Sequence, residues 1–183
     1  LNKNFFKNNL IKKKKRINLS KYLLETNDKS IIFSCLYKNF VLRNKIYFPK
    51  GFHEDIIFKF KLLYYSKPFI NFNKIIYIKN DNKNSITGRK FSKKNLIGFI
   101  NAWKDVGKFI KRKKLSYLNN DYQFRLRGEY INLYKIIEEQ NKEKKKSMIN
   151  YLNLNFLTLI NKKFAIKTKK DYELSRLLKN EKI

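Results

Sequence analysis

The sequence predicts a mainly α-helical single domain with a protruding basic β-hairpin and an extended basic N-terminal arm. Three observations lead there. Apolar residues recur at helical spacing in several separate windows, one window alternates with period two, and the first 16 residues contain basic side chains and no acid. With 183 residues, one hydrophobic core is the working expectation, because single cores stop growing only beyond roughly 250 residues.

Residues 1–27 read as the arm. Lys12, Lys13, Lys14, Lys15 and Arg16 form a run of like charge that repels itself in any compact element unless an anion lies alongside. A solvated tail is the plain alternative. The stretch has the charge sign of a transit peptide but not its Ser and Arg richness.

Residues 28–183 read as the helical domain. Asp28 suits an N-cap, and Phe33, Leu36, Tyr37, Phe40 and Val41 follow i, i+3, i+4, i+7, i+8 spacing, which predicts a core helix to about Leu42. Pro49 and Gly51 interrupt the chain. Ile56, Ile57, Phe60, Leu63 and Tyr64 then share one side of a second helix that ends at Ser66-Lys67-Pro68. Residues 69–91 change character, from an Ile/Phe/Tyr-rich, strand-like stretch to the polar loop Asn80-Asp81-Asn82-Lys83-Asn84, and are expected to be an insertion. Ser92 can cap a third helix carrying Leu96, Ile100 and Trp103, expected to stop near Gly107.

The hairpin is expected at 108–127. Phe109 to Tyr117 carries Lys111, Arg112, Lys113 and Lys114, and Asn119-Asn120-Asp121 supplies turn chemistry. Beyond it Tyr122, Phe124 and Leu126 alternate with Gln123, Arg125 and Arg127, so one face packs while the other meets phosphate. Three further patterns complete a body of about six helices: Tyr130, Leu133, Tyr134 and Ile137; Ile149, Leu152, Phe156, Leu159 and Ile160; and Leu174, Leu177 and Leu178. Asn161-Lys162-Lys163 is a basic turn between the last two.

Charge bounds the partners. Lys and Arg number 44 against 14 Asp and Glu, a formal net charge of +30, and such an excess implies a polyanion. Hydrophobic residues make up 43% and aromatic ones 16%, so this is not the composition of a wholly disordered basic tail. Abundant Lys, Asn, Ile, Phe and Tyr with few Gly and Pro is what A+T-rich codons encode, which points toward an organelle genome or a strongly biased nuclear one and concerns mutation pressure, not function.

Several classes lack parts. Cys35 is the only cysteine, which excludes an internal disulfide or a multi-cysteine metal site and suits a small buried hydrophobe. Lys59, Lys61, Lys67 and Lys74 break the apolar region Ile56 to Ile78, well short of the roughly 18 apolar residues of a membrane span. His53-Glu54-Asp55 is the only cluster suggestive of acid-base or metal chemistry, yet it has no second imidazole, and acids there suit the first turn of a helix. The five glycines form no phosphate-cradling loop. The expectation is a scaffold without catalytic residues, metal, cofactor or small-molecule substrate.

An ordered set of landmarks carries a resemblance: Ala102-x-x-Asp105-Val106, the basic run Ile110 to Lys114, Tyr122-Gln123, Lys146-Ser147-Met148, and Ala165-Ile166-Lys167-x-Lys169-Lys170-Asp171 before a last helix. In order and spacing these resemble the bacterial and organellar family of small-subunit ribosomal protein seven, over residues 92–183. The chain departs from that pattern at Arg43-Asn44-Lys45 and at Leu118-Asn119-Asn120-Asp121, where the family carries glycine. The resemblance implies a helical domain with a projecting hairpin that binds the 3′ major domain of small-subunit ribosomal RNA. It also implies a role in assembling the subunit head, beside neighbouring small-subunit proteins and near messenger RNA and exit-site transfer RNA. Divergence from the bacterial pattern favours the mitochondrion over the plastid.

The expected RNA contacts are Lys12 to Arg16 on the arm; Lys111, Arg112, Lys113, Lys114, Arg125 and Arg127 on the hairpin; and Lys162, Lys163, Lys167, Lys169 and Lys170. Tyr117 and Tyr122 flank the hairpin tip and suit stacking on bases, although cross-strand packing is an equal reading for Tyr122. Two other readings fit the composition: a basic accessory subunit of a mitochondrial membrane complex, and a free RNA- or DNA-binding factor.

Overall fold

A computed structural model describes residues 19–24, 36–66, 91–161 and 168–180. They are mainly helical: α1 (Leu19–Leu24), α2 (Lys38–Arg43), α3 (Glu54–Tyr65), α4 (Lys93–Arg112), α5 (Asn119–Glu138), α6 (Lys142–Phe156) and α7 (Lys169–Asn180). Single 3₁₀ turns at Ser116–Leu118 and Leu157–Leu159 flank α5 and α6.

Helix α4 starts as its sequence dictates. Ser92 Oγ accepts from the Asn95 amide at 3.3 Å, and Asn95 Oδ1 accepts from the Ser92 amide at 3.1 Å, a reciprocal cap that satisfies two otherwise orphaned donors. The helix then runs past Gly107 to Arg112. Gly107 is no stop signal: a Cβ built there would lie 2.5 Å from Tyr122 Oη and 3.0 Å from its ring. The missing side chain lets Tyr122 lie against α4, where its hydroxyl donates to the Trp103 carbonyl at 2.7 Å. Gly107→Ala is expected to cost about 1 to 3 kcal/mol through overpacking, and Tyr122→Phe in the same chain should recover part of it, as denaturant melts of the two variants would show.

The hairpin expected at 108–127 is not formed: residues up to Arg112 finish α4, and Asn119 onward belongs to α5. Tyr122, Leu126, Tyr130, Leu133 and Ile137 make one continuous helical stripe, all buried. The six-residue alternation was a short sample of a helix covered on several sides, since α5 touches α1, α4, α6 and α7.

Helix α5 is thus the hub. Tyr130 Oη donates to Asn153 Oδ1 on α6 at 2.6 Å. Gln123 holds the chain after α6, donating to the Leu159 carbonyl at 3.0 Å and accepting from the Asn161 amide at 2.7 Å. Arg127 pairs with Asp171 on α7 at 2.6 Å. One apolar cluster runs through α1, α3, α4, α5, α6 and α7, with Trp103, Phe60, Tyr130 and Phe156 at its centre.

The N-terminal arm needs correction in part. Residues 1–18 and 25–27 lie outside the described residues, but Leu19, Tyr22 and Leu23 of α1 are buried in the core. Tyr22 Oη donates to the Ile56 carbonyl at 3.0 Å, fixing α1 to the first turn of α3.

The first expected helix is also shorter than its pattern. Residues 28–35, with Phe33 and Cys35, lie outside the described residues. Leu36 and Tyr37 precede α2 and are exposed, and α2 buries no side chain completely. Phe40 and Val41 lean instead on a small second cluster of Ile46, Phe58 and Leu62. The second helix matches its prediction, α3 burying Ile56, Ile57, Phe60 and Leu63. Helices α6 and α7 follow the two C-terminal patterns, burying Leu152 and Phe156 and then Leu174. The insertion, apart from Phe91, has residues 69–90 outside the described residues. Among the described residues no helix is long and apolar enough to cross a membrane.

Candidate nucleic-acid interface

Among the described residues the strongest local concentration of charge is where α4 turns into α5. Lys108, Lys111, Arg112, Lys113 and Lys114 fall within seven consecutive positions. All but the half-buried Lys113 are exposed. A helix C-terminus favours cations, by roughly 0.3 to 1 kcal/mol each within the last turn, so one or two here need no further reason. Five exceed what the helix end can use. Among the described residues the one carboxylate paired to them is the partly exposed Asp105, 3.1 Å from Lys108.

Aromatic rings stand beneath the cations. Lys113 Nζ lies 5.6 Å from the Tyr64 ring and 5.4 Å from the Tyr65 ring, both at the end of α3, and the Arg112 guanidinium lies 5.5 Å from Phe109. Tyr64, Tyr65 and Phe109 meet edge to face at 4.8 to 6.3 Å. Ring faces hold the cations by their quadrupoles and order the stems that carry them. Tyr117, 66% exposed, projects just beyond, anchored through its neighbour Leu118, which is fully buried.

The turn itself is a Schellman motif. The Leu115 amide donates to the Ile110 carbonyl at 3.0 Å and the Lys114 amide to the Lys111 carbonyl at 3.1 Å, while Lys114 has φ of 53°. Glycine normally fills this left-handed position, which costs other residues about 1 to 2 kcal/mol. A lysine stands where glycine is easier. Lys114→Gly is expected to stabilise the fold by about 0.5 to 1 kcal/mol and to weaken RNA binding, a split that denaturant melts and filter binding would read separately.

Arg125 and Arg127 do not face outward. Each side chain is nearly nine-tenths buried: Arg125 pairs with Glu129 one turn on, and Arg127 with Asp171. The Arg125 guanidinium also covers the Trp103 ring at 5.6 Å. Both are positioned by the α5 helix to neutralise buried acids, which removes them from the surface that the strand reading gave them. Tyr122 is likewise packed inside, and burial pushes its phenol pKa upward.

Of the remaining expected contacts, Lys169 is exposed in the first turn of α7, the helix that also carries Lys170. Lys12, Lys13, Lys14, Lys15, Arg16, Lys162, Lys163 and Lys167 lie outside the described residues. In the run before Met148, Lys144 and Lys146 are exposed, whereas Lys145 binds Glu138 at 2.6 Å.

Sequence reasoning missed Lys108 and the Tyr64–Tyr65 shelf. Lys104, Lys108, Lys111 and Arg112 stand at i, i+4, i+7 and i+8, a stripe that identifies itself once the segment is treated as helix.

His53 lies between the head of α3 and the first half of α4. It caps α3 at φ of 60° and meets Phe99 edge to face at 5.1 Å. Burial lowers its pKa, opposed by Asp55 and Glu54, while burial and then Glu54 raise that of Asp55. Its Nε2 is buried without a hydrogen-bond partner among the described residues. No group of three His, Cys, Asp or Glu placed to hold a metal ion occurs among them.

Fold and site together define a strongly basic, mainly helical domain with a cation-rich corner seated on aromatic rings. Compared with protein-family models, curated proteins and solved structures, the chain matches none of them.

Proposed function

We propose that this chain is a structural RNA-binding protein of an organellar small ribosomal subunit. The observation that carries the RNA-binding part is the α4–α5 corner, where exposed Lys108, Lys111, Arg112 and Lys114 share one helix end with, among the described residues, a single partly exposed carboxylate partner. The net charge of +30 supports it, because folded RNA is bound chiefly through backbone phosphate and shape, with cations displacing condensed counterions.

The ribosomal part rests on the ordered landmarks between Ala102 and Asp171 that resemble the small-subunit ribosomal protein seven family. On that resemblance, the RNA is the 3′ major domain of small-subunit ribosomal RNA. The chain supports head assembly among neighbouring small-subunit proteins, close to messenger RNA and exit-site transfer RNA, and works in the mitochondrion. Its role is that of a scaffold and not of an enzyme. The projecting finger that the family implies is not at 108–127; the other strand-like part of the sequence, 69–91, falls almost wholly outside the described residues.

Sucrose-gradient sedimentation of mitochondrial lysate tests the reading. The chain should travel with small subunits at low salt and leave them at high salt; a peak with detergent-solubilised membrane complexes, or free protein at low salt, contradicts it.

A further inference from the structure

We propose that residues 36–50 form a second RNA-binding surface, a stacking platform for unpaired bases in a single-stranded stretch. It rests on the RNA partner proposed above but uses other residues and another kind of contact.

The segment displays what a folded domain ordinarily hides. Tyr37 is 87% exposed, Tyr47 57% and Phe48 49%. The same fifteen positions hold Lys38, Arg43, Lys45 and Lys50, all exposed, and no acid. Apolar docking to another protein gives no reason for four exposed cations and no acid in the segment that carries the aromatics. Bases need both parts: a π-face for each base and a cation for the phosphate beside it.

The platform is held in place from below. Helix α2 ends in a second Schellman motif, with Ile46 amide to Val41 carbonyl at 3.0 Å and Lys45 amide to Leu42 carbonyl at 3.1 Å, Lys45 standing at φ of 50°. Ile46, 1% exposed, plugs the turn into the small cluster with Phe58 and Leu62. The Phe48 ring lies parallel to that of the buried Phe58, 3.8 Å away with 3° between planes. One face of Phe48 is thereby occupied and its plane set in advance, so ordering it costs little when a base arrives. As at Lys114, a lysine occupies a left-handed position that glycine fills more easily, which puts a cation two and three residues before Tyr47 and Phe48 in the chain.

The test uses the full chain and a fluorescent ten-nucleotide oligouridine, with an RNA duplex as comparison, both by anisotropy across a salt series. Tyr37→Ala, Tyr47→Ala and Phe48→Ala are each expected to weaken oligouridine binding by about 5- to 100-fold, with an unchanged salt slope and unchanged duplex affinity. Because Phe48 supports the small cluster, Tyr37→Ala, on the most exposed ring, is the deciding variant, and Tyr37→Trp should retain affinity. Unchanged oligouridine binding in Tyr37→Ala and Tyr47→Ala, or equal loss on the duplex, overturns the platform. So does a loss confined to phosphatidylserine vesicles, which assigns the surface to a membrane. If the ribosomal reading fails, these affinities still stand; if the platform fails, co-sedimentation and duplex binding through the α4–α5 corner still stand.

Discussion

Replacing Asp171 by Asn is expected to destabilise the domain by about 3 to 5 kcal/mol, the usual cost of leaving one member of a buried ion pair without its partner. Asp171 is 1% exposed. It accepts from Arg127 Nε at 2.6 Å, from the Thr168 amide at 3.1 Å and from Thr168 Oγ1 at 2.9 Å. Thr168 Oγ1 in turn accepts from the Asp171 amide at 3.2 Å, so the carboxylate both caps α7 and fixes it to α5. For a domain whose whole stability is of the order of 5 to 15 kcal/mol, that loss is severe. Urea unfolding of the full chain measures it. Glu173→Gln, which removes the partly exposed pair with Lys135, should change stability by less than about 1 kcal/mol. Arg127→Met combined with Asp171→Leu should recover part of the loss, since two apolar groups leave no charge stranded while the cap on Thr168 stays broken. Equal, small effects for Asp171→Asn and Glu173→Gln contradict the role given to the buried pair.

Changing Lys111, Arg112, Lys113 and Lys114 together to Ala is expected to reduce the slope of log affinity against log salt by about 3, from roughly 0.7 to 0.9 for each phosphate no longer neutralised. Affinity for a structured RNA fragment should fall most at low salt, where counterion release contributes most. The fold should tolerate the change, because Lys111, Arg112 and Lys114 are exposed and the ion pair at this corner belongs to Lys108. Arg125→Ala serves as the contrast: its guanidinium neutralises buried Glu129, so stability falls while the salt slope holds. A quadruple variant with the wild-type slope removes the α4–α5 corner from the proposed RNA interface.

How much of this was legible in the sequence depends on how local each signal is. Ser92 and Ser66 marked helix ends because capping is decided within a few residues, and both positions hold. The period of α3, α6 and α7 was readable because each buries one face. Helix α5 was only half seen: Tyr130, Leu133 and Ile137 gave its second half, but Asn119-Asn120-Asp121 has the composition of a turn. In the fold it is the first helical turn, where Asp121 faces the N-terminal dipole and accepts from Ser20 Oγ. That bond joins residues 101 apart, and no window of sequence contains it.

The same limit explains the misplaced arginines. Arg125 and Arg127 carry the residue type of a phosphate contact, and only the packing of α5 against α7 shows that Asp171 is waiting for one of them. Gly107 misled for a related reason. A glycine inside a helical pattern signals either a stop or a close approach, and the approaching ring of Tyr122 comes from 15 residues away on the next helix. The corner lysines, by contrast, are a basic run in the sequence itself, and what differs is their support: the end of a 20-residue helix backed by Tyr64 and Tyr65 instead of a strand.

The most direct test of the proposal that one structured RNA neutralises this cationic helical body is ultraviolet crosslinking of the tagged chain in its native cells, followed by sequencing of the attached RNA. Reads should concentrate in the 3′ major domain of the small-subunit ribosomal RNA, with crosslinked peptides from the α4–α5 corner. Reads spread evenly over many transcripts, or a chain recovered with no RNA attached, would contradict it.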